Sequence, residues 1–172
     1  MTILRTLLLI DTNGKLESAG PFRGQAVKND RVALFHLAQG QKAQAEGMWH
    51  EAIEHYAMAL SRAPKESRTL YLLYNNGAYC RNMLGFYPEA EQYARLAIAT
   101  DSKRHEAYIN LGISLEAKRD VTGAASCFVE ALKANAFNLK AAERLRQLLI
   151  DYPTLLMESP WIQLELDLLE RG

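Results

Sequence analysis

Three stretches of this chain repeat one spacing of small residues: Gly40, Ala52 and Ala59; Ala78, Ala90 and Ala97; Gly112, Ala124 and Ala131. Two antiparallel helices, and then the next pair, reach contact distance only where a side chain is nearly absent. The pattern therefore predicts stacked helical hairpins, an all-α solenoid of three helix-turn-helix units. The period from Ala90 to Ala124 is 34 (124 − 90), and that from Ala52 to Ala90 is 38 (90 − 52). The first interval holds about one extra helical turn. Pro64 ends one helix, and Lys65, Glu66 and Ser67 can open the next. The added residues, around Lys65 to Leu70, are thus expected to lengthen the first helix of the second unit.

Turn and aromatic residues accompany the small ones. The first unit has Gly47 at its turn, then Trp49, Tyr56 and the terminating Pro64; the second has Tyr74, Gly85 and Tyr87; the third has Tyr108, Leu111 and Phe128. On these residues the chain resembles the tetratricopeptide-repeat family, whose unit is a helix-turn-helix of about 34 residues. The second unit departs from the family pattern with Gly77, Ala94 and Ser102, and the third with Arg119 at the turn and Ala136 in the proline slot. The resemblance implies a right-handed α-solenoid with units at about 31–66, 67–104 and 105–138. It also implies that the first helix of each unit lines a concave surface.

Outside the repeats, residues 1–30 form a short N-terminal extension and 139–172 capping helices. Leu7-Leu8-Leu9-Ile10 is too short for a membrane span or a signal peptide, because Asp11 closes it. Asp11-Thr12-Asn13-Gly14 suggests the turn of a small hairpin. Leu139, Ala142, Leu145, Leu148 and Leu149 make an apolar stripe opposite Lys140, Glu143, Arg144 and Arg146, as a cap over an exposed solenoid end requires. Ser159-Pro160 opens a last helix through Trp161, Ile162, Leu164 and Leu168, although the alternation there would also suit a strand.

Composition narrows the function. The 172 residues, 49% of them apolar, suffice for one domain, and 20 Lys plus Arg against 20 Asp plus Glu leave no field that would collect phosphates. No nucleic-acid partner is expected. Cys80 and Cys127, in different units, read as reduced packing residues, which fits the cytoplasm. No catalytic, cofactor or metal site emerges. In His50-Glu51-Ala52-Ile53-Glu54-His55 the histidines are five apart rather than the four a zinc helix needs, so a His50–Glu54 pairing on a solvated face is the expectation. His36 and His105 stand singly.

Helical spacing assigns the concave face to Leu34, Leu37, Gln41 and Gln44 in the first unit. The second contributes Leu72, Asn76, Tyr79 and Met83, and the third Glu106, Ile109, Asn110, Ile113 and Glu116. Asn76 and Asn110 lie one repeat period apart (110 − 76), and amides so placed can hold an extended backbone while apolar neighbours supply specificity. The carboxylate-clamp branch of the family binds acidic chaperone tails with Lys, Arg and Asn on this face. Here Asn76 is retained, but Leu37, Glu106 and Asn110 stand where cations would be needed, which argues against that ligand. The expectation is a non-enzymatic adaptor for a protein or peptide partner. The alternatives are a small chaperone of the secretion type for a client protein and a homo-oligomeric scaffold joined through Trp161, Leu164 and Leu168.

Overall fold

The computed structural model describes residues 8–10, 16–18 and 21–171. Strands β1 (Leu8–Ile10) and β2 (Leu16–Ser18) pair antiparallel, Leu9 opposite Glu17. The turn expected at Asp11-Thr12-Asn13-Gly14 lies outside the described residues. Helices then follow: α1 (Pro21–Ala45), α2 (Trp49–Leu60), α3 (Ser67–Met83), α4 (Tyr87–Thr100), α5 (His105–Ala117), α6 (Val121–Ala134), α7 (Leu139–Asp151), α8 (Leu155–Glu158) and α9 (Pro160–Arg171). The hairpins are α1–α2, α3–α4 and α5–α6. Each packs on the next through α2–α3 and α4–α5, and α3 touches α1 and α5. This is an α-solenoid. α1 begins at Pro21, a residue suited to a first helical turn, so the N-terminal extension includes the opening turns of α1.

The small residues sit where helices meet. Ala52, Ala90, Ala124, Ala59, Ala97 and Ala131 are all fully buried. At the first position of each pattern a ring fills the space a side chain would take. A Cβ built on Gly40 would lie 2.5 Å from the Tyr56 ring, and one on Gly112 would lie 2.5 Å from the Phe128 ring. In the second unit the same fit is displaced by one residue: Gly77, not Ala78, faces an aromatic, with a built Cβ 2.9 Å from Tyr93. The aromatic partner has moved from position 94 to 93 in step with the glycine. Ala94, at the usual aromatic position, is fully buried as a small residue, so the departures at Gly77 and Ala94 are one compensated shift.

The turns inside the hairpins share one backbone geometry. Gly47, Gly85 and Arg119 take φ of 76°, 77° and 65°. In each turn that residue's N–H bonds the carbonyl three back, and the next N–H the carbonyl five back (Met48 to Ala43, Phe86 to Arg81, Asp120 to Leu115, all 2.9 Å). This closing motif satisfies helix-end carbonyls and usually calls for glycine. Arg119 adopts it with a side chain, and Asp120 then accepts from the Gly123 N–H at 3.0 Å to start α6.

The longer interval resolves as expected: α3 has 17 residues and α5 has 13. Just past the added residues, Tyr71 is buried with Ala97 and Ala107. Its hydroxyl donates to Glu106 at 3.2 Å, and Arg104 lies 4.6 Å over its ring. This contact bonds the second unit to the third.

Several sequence expectations need correction. Asn110 is only 4% exposed. Its Nδ2 donates to Asn75 Oδ1 at 2.9 Å and to Asn75 O at 3.2 Å, while its carbonyl accepts from Asn82 Nδ2 at 2.9 Å. Ser114, fully buried, reaches Asn82 Oδ1. This amide network joins α3 to α5, so Asn110 is a structural joint and its side-chain donors are not available to a ligand. Leu37 is 6% exposed and belongs to the first hairpin's core. Glu51, not Glu54, approaches a histidine, its Oε1 lying 3.8 Å from His55 Nε2, whereas His50 meets the Phe86 ring. Nor does His36 stand singly: its Nδ1 is 3.2 Å from His55 Nδ1. On α7 the face toward α6 is Ala141, Leu145 and Leu148, and Leu139 is 84% exposed. At the far end, α9 is a helix with Ile162 fully buried.

Gly112→Ala forces a methyl into the Phe128 ring and is expected to cost about 1–3 kcal/mol in urea unfolding. In Gly112→Ala/Phe128→Leu the cost should be less than the sum of the two single changes, since the smaller partner relieves the clash. Asn110→Ala strands the Asn75 amide oxygen at a buried site and should cost about 1–3 kcal/mol. For His36, desolvation first, then the nearby His55 and Arg62, lower the pKa from its ordinary 6.5. The unfolded chain then binds the proton more readily, so stability is greatest with the His36 ring neutral and falls as pH drops below the ordinary histidine range. Thermal scans between neutral and mildly acid pH should show a steeper loss for the native chain than for His36→Gln.

Candidate peptide-binding groove

Helices α3 and α5 form the floor of a trough, and α7 stands across it as a wall. Its smaller part, a cavity of about 260 Å³, is bounded by Gln44 of α1, Asn76 and Tyr79 of α3, Glu106, Ile109 and Asn110 of α5, and Lys140 of α7. The larger part, about 740 Å³, runs on past Tyr79 to Asn82 and Met83, Ile113 and Glu116, Arg119, and then Lys140 and Arg144. Tyr79 and Lys140 border both cavities.

The residues expected on this face divide into three groups. Asn76, Tyr79, Met83, Glu106, Ile109 and Ile113 line the trough, as do Gln44 and Glu116. Met83 is 51% exposed, whereas Ile109, at 5%, is floor. Gln44 is committed to the fold in part, since its Oε1 accepts from the Tyr56 hydroxyl at 2.8 Å. Leu34 and Gln41 are exposed on α1 but border neither cavity, and Leu72 is half-buried among core residues. Leu37 borders neither cavity, and Asn110 borders the smaller one with its side-chain donors already given to Asn75.

Sequence reasoning missed the wall. Lys140 and Arg144, four residues apart on α7, face the trough, although their spacing had marked only a wet helix face. Lys140 Nζ lies 5.6 Å from the centre of the Tyr79 ring, whose edge in turn meets Trp49 at 5.8 Å. Lys140 is exposed overall, yet desolvation by its surroundings, and secondarily Arg144, lower its pKa. Arg144 Nη1 is 3.4 Å from Glu116 Oε2. The trough thus offers aromatic and aliphatic surface, half-buried amides at Gln44, Asn76 and Asn82, and cations along one wall.

Reactive chemistry finds little support here. Cys80 and Cys127 are free and buried, and burial pushes each thiol up to about 12, away from the thiolate a nucleophile needs. Among the described residues no group of three or more His, Cys, Asp or Glu could hold a metal ion. No described helix is long and apolar enough to cross a membrane.

No family model matches the chain. Tetratricopeptide repeat protein 7B of Homo sapiens is 33% identical over 122 residues, covering 67% of this chain and 14% of that protein. The chain spans less than a fifth of the length of the curated relatives it matches, at 14% and 17%. Among solved structures, the second TPR domain of human RPAP3, in complex with the HSP70 peptide SGPTIEEVD, superposes with a TM-score of 0.61 at 21% identity, covering 72% of this chain and 97% of that one. The Hsp90 co-chaperone Cns1 from Saccharomyces cerevisiae gives a TM-score of 0.70 at 18% identity, covering 83% of this chain and 46% of that one. The superpositions, with the three hairpins, their common turns and their small-residue seams, show the fold, and the 33% identical relative places the chain in the tetratricopeptide-repeat family.

Proposed function

We propose that this chain is a non-enzymatic adaptor that holds an extended segment of a partner protein in the trough between α3, α5 and α7. The observation that carries the reading is that the two cavities adjoin, with Tyr79 and Lys140 bordering both. A segment running along them would meet the Asn76 amide for main-chain hydrogen bonds, and Tyr79, Met83 and Ile113 for apolar side chains. The human RPAP3 domain of like fold is itself in complex with a peptide, which supports peptide binding as a use of this scaffold. The free, buried thiols suit work in a reducing compartment such as the cytoplasm.

Tyr79 is the anchor to test, because aromatic residues at the centre of a groove contribute most to such contacts. Peptides selected from a random dodecapeptide display library against the native chain should bind Tyr79→Ala about tenfold more weakly or worse. Asn76→Ala should weaken them less, and Gln92→Ala on the solvent face of α4 not at all. Fluorescence anisotropy measures the affinities, and circular dichroism verifies that each variant is folded. Selected peptides that bind all four proteins equally would remove the trough as the binding site.

A further inference from the structure

We propose that the trough recognises an interior aspartate or glutamate side chain of the bound segment, received by Lys140 near the midpoint of the groove. The inference rests on the adaptor reading and names the partner's chemistry at one position.

Three observations carry it. First, Lys140 has no carboxylate partner among the described residues, whereas Arg144, the next cation along its helix, pairs with Glu116 at 3.4 Å. Its ammonium instead lies over the Tyr79 ring, which favours a cation but does not neutralise it. Second, the trough's own acids are engaged elsewhere. Glu106 accepts from Tyr71, Glu116 is held by Arg144, and Asp151 accepts from Gln147 at 2.9 Å. Arg119, also bordering the larger cavity, adds charge of the same sign as Lys140. Desolvation and Arg144 already disfavour the charged ammonium, and an incoming carboxylate would restore it through a charge-assisted hydrogen bond.

Third, position decides which carboxylate. Lys140 borders both cavities, so a chain ending there would leave one of them empty, while a chain passing through fills both. A side-chain carboxylate within the segment satisfies this constraint, and a chain terminus does not.

The test uses dodecapeptide libraries selected in parallel on the native chain, Lys140→Gln and Lys140→Arg. Lys140 is exposed, so these variants are expected to fold, and thermal scans check that they do. On the native chain and Lys140→Arg, Asp and Glu should be enriched at one interior position, and on Lys140→Gln that enrichment should vanish. Changing the acid to its amide in a selected synthetic peptide should weaken native binding about tenfold, yet leave Lys140→Gln binding nearly unchanged. Amidating the peptide's C-terminus should have little effect. Binders that need Tyr79 but show no interior acidic preference, or whose affinity follows the C-terminal carboxylate, would overturn this inference and leave the adaptor reading standing. Binders indifferent to Tyr79 would overturn both.

Discussion

The close fit of an aromatic ring against a glycine is the contact on which the rest of this structure depends. In each hairpin a ring on the second helix lies where a Cβ of the first would otherwise project, at Gly40 with Tyr56, Gly77 with Tyr93 and Gly112 with Phe128. The arrangement brings two backbones close while still burying a large apolar side chain, and dense packing makes it sensitive to a single methyl group. Because the helices approach so closely, the buried alanines about one turn to either side of each ring can carry the seam from hairpin to hairpin. With the seam in place, the first helices stand side by side and their outer faces make a floor.

Polar contacts then set how that floor is shaped. The Asn75, Asn82, Asn110 and Ser114 network binds α3 to α5 through bonds of 2.9–3.2 Å, and amides so buried are costly unless every partner is present. Tyr71 of α3 and Glu106 of α5 make a second joint. Both joints lie under the trough. The floor is therefore held at two levels between the second and third units, and its side chains are already oriented, which would reduce the ordering cost of the binding proposed here.

Much of this architecture was legible in the sequence, because small residues at helix contacts are required by geometry and leave a period. The extra turn of α3 followed from a difference of intervals. The compensated Gly77 and Tyr93 shift was also present in the letters: the glycine and the ring are separated by the same interval in all three units (56 − 40, 93 − 77, 128 − 112). Anchoring the comparison on Ala78 concealed it. The candidate site was less legible. Asn76 and Asn110 look equivalent along their own helices, but only Asn110 donates to a neighbour across the α3–α5 contact. Burial of Leu37 likewise depends on how far α2 and α3 wrap α1, which a helical period does not encode.

The wall of the trough shows most clearly where periodicity stops being informative. An amphipathic stripe on α7 announces that one face is buried and another wet, and Ala141, Leu145 and Leu148 meet that requirement. What the wet face looks onto depends on the angle at which α7 leaves α6, and that angle puts Lys140 and Arg144, both exposed, along the border of the cavity that α3 and α5 line. A cap whose only task was to cover the solenoid end could carry any solvated residues there. With Lys140 against Tyr79 and without an acidic partner among the described residues, the capping helix instead gives the groove a charged side, so that the element closing the repeat array also completes the surface the array presents.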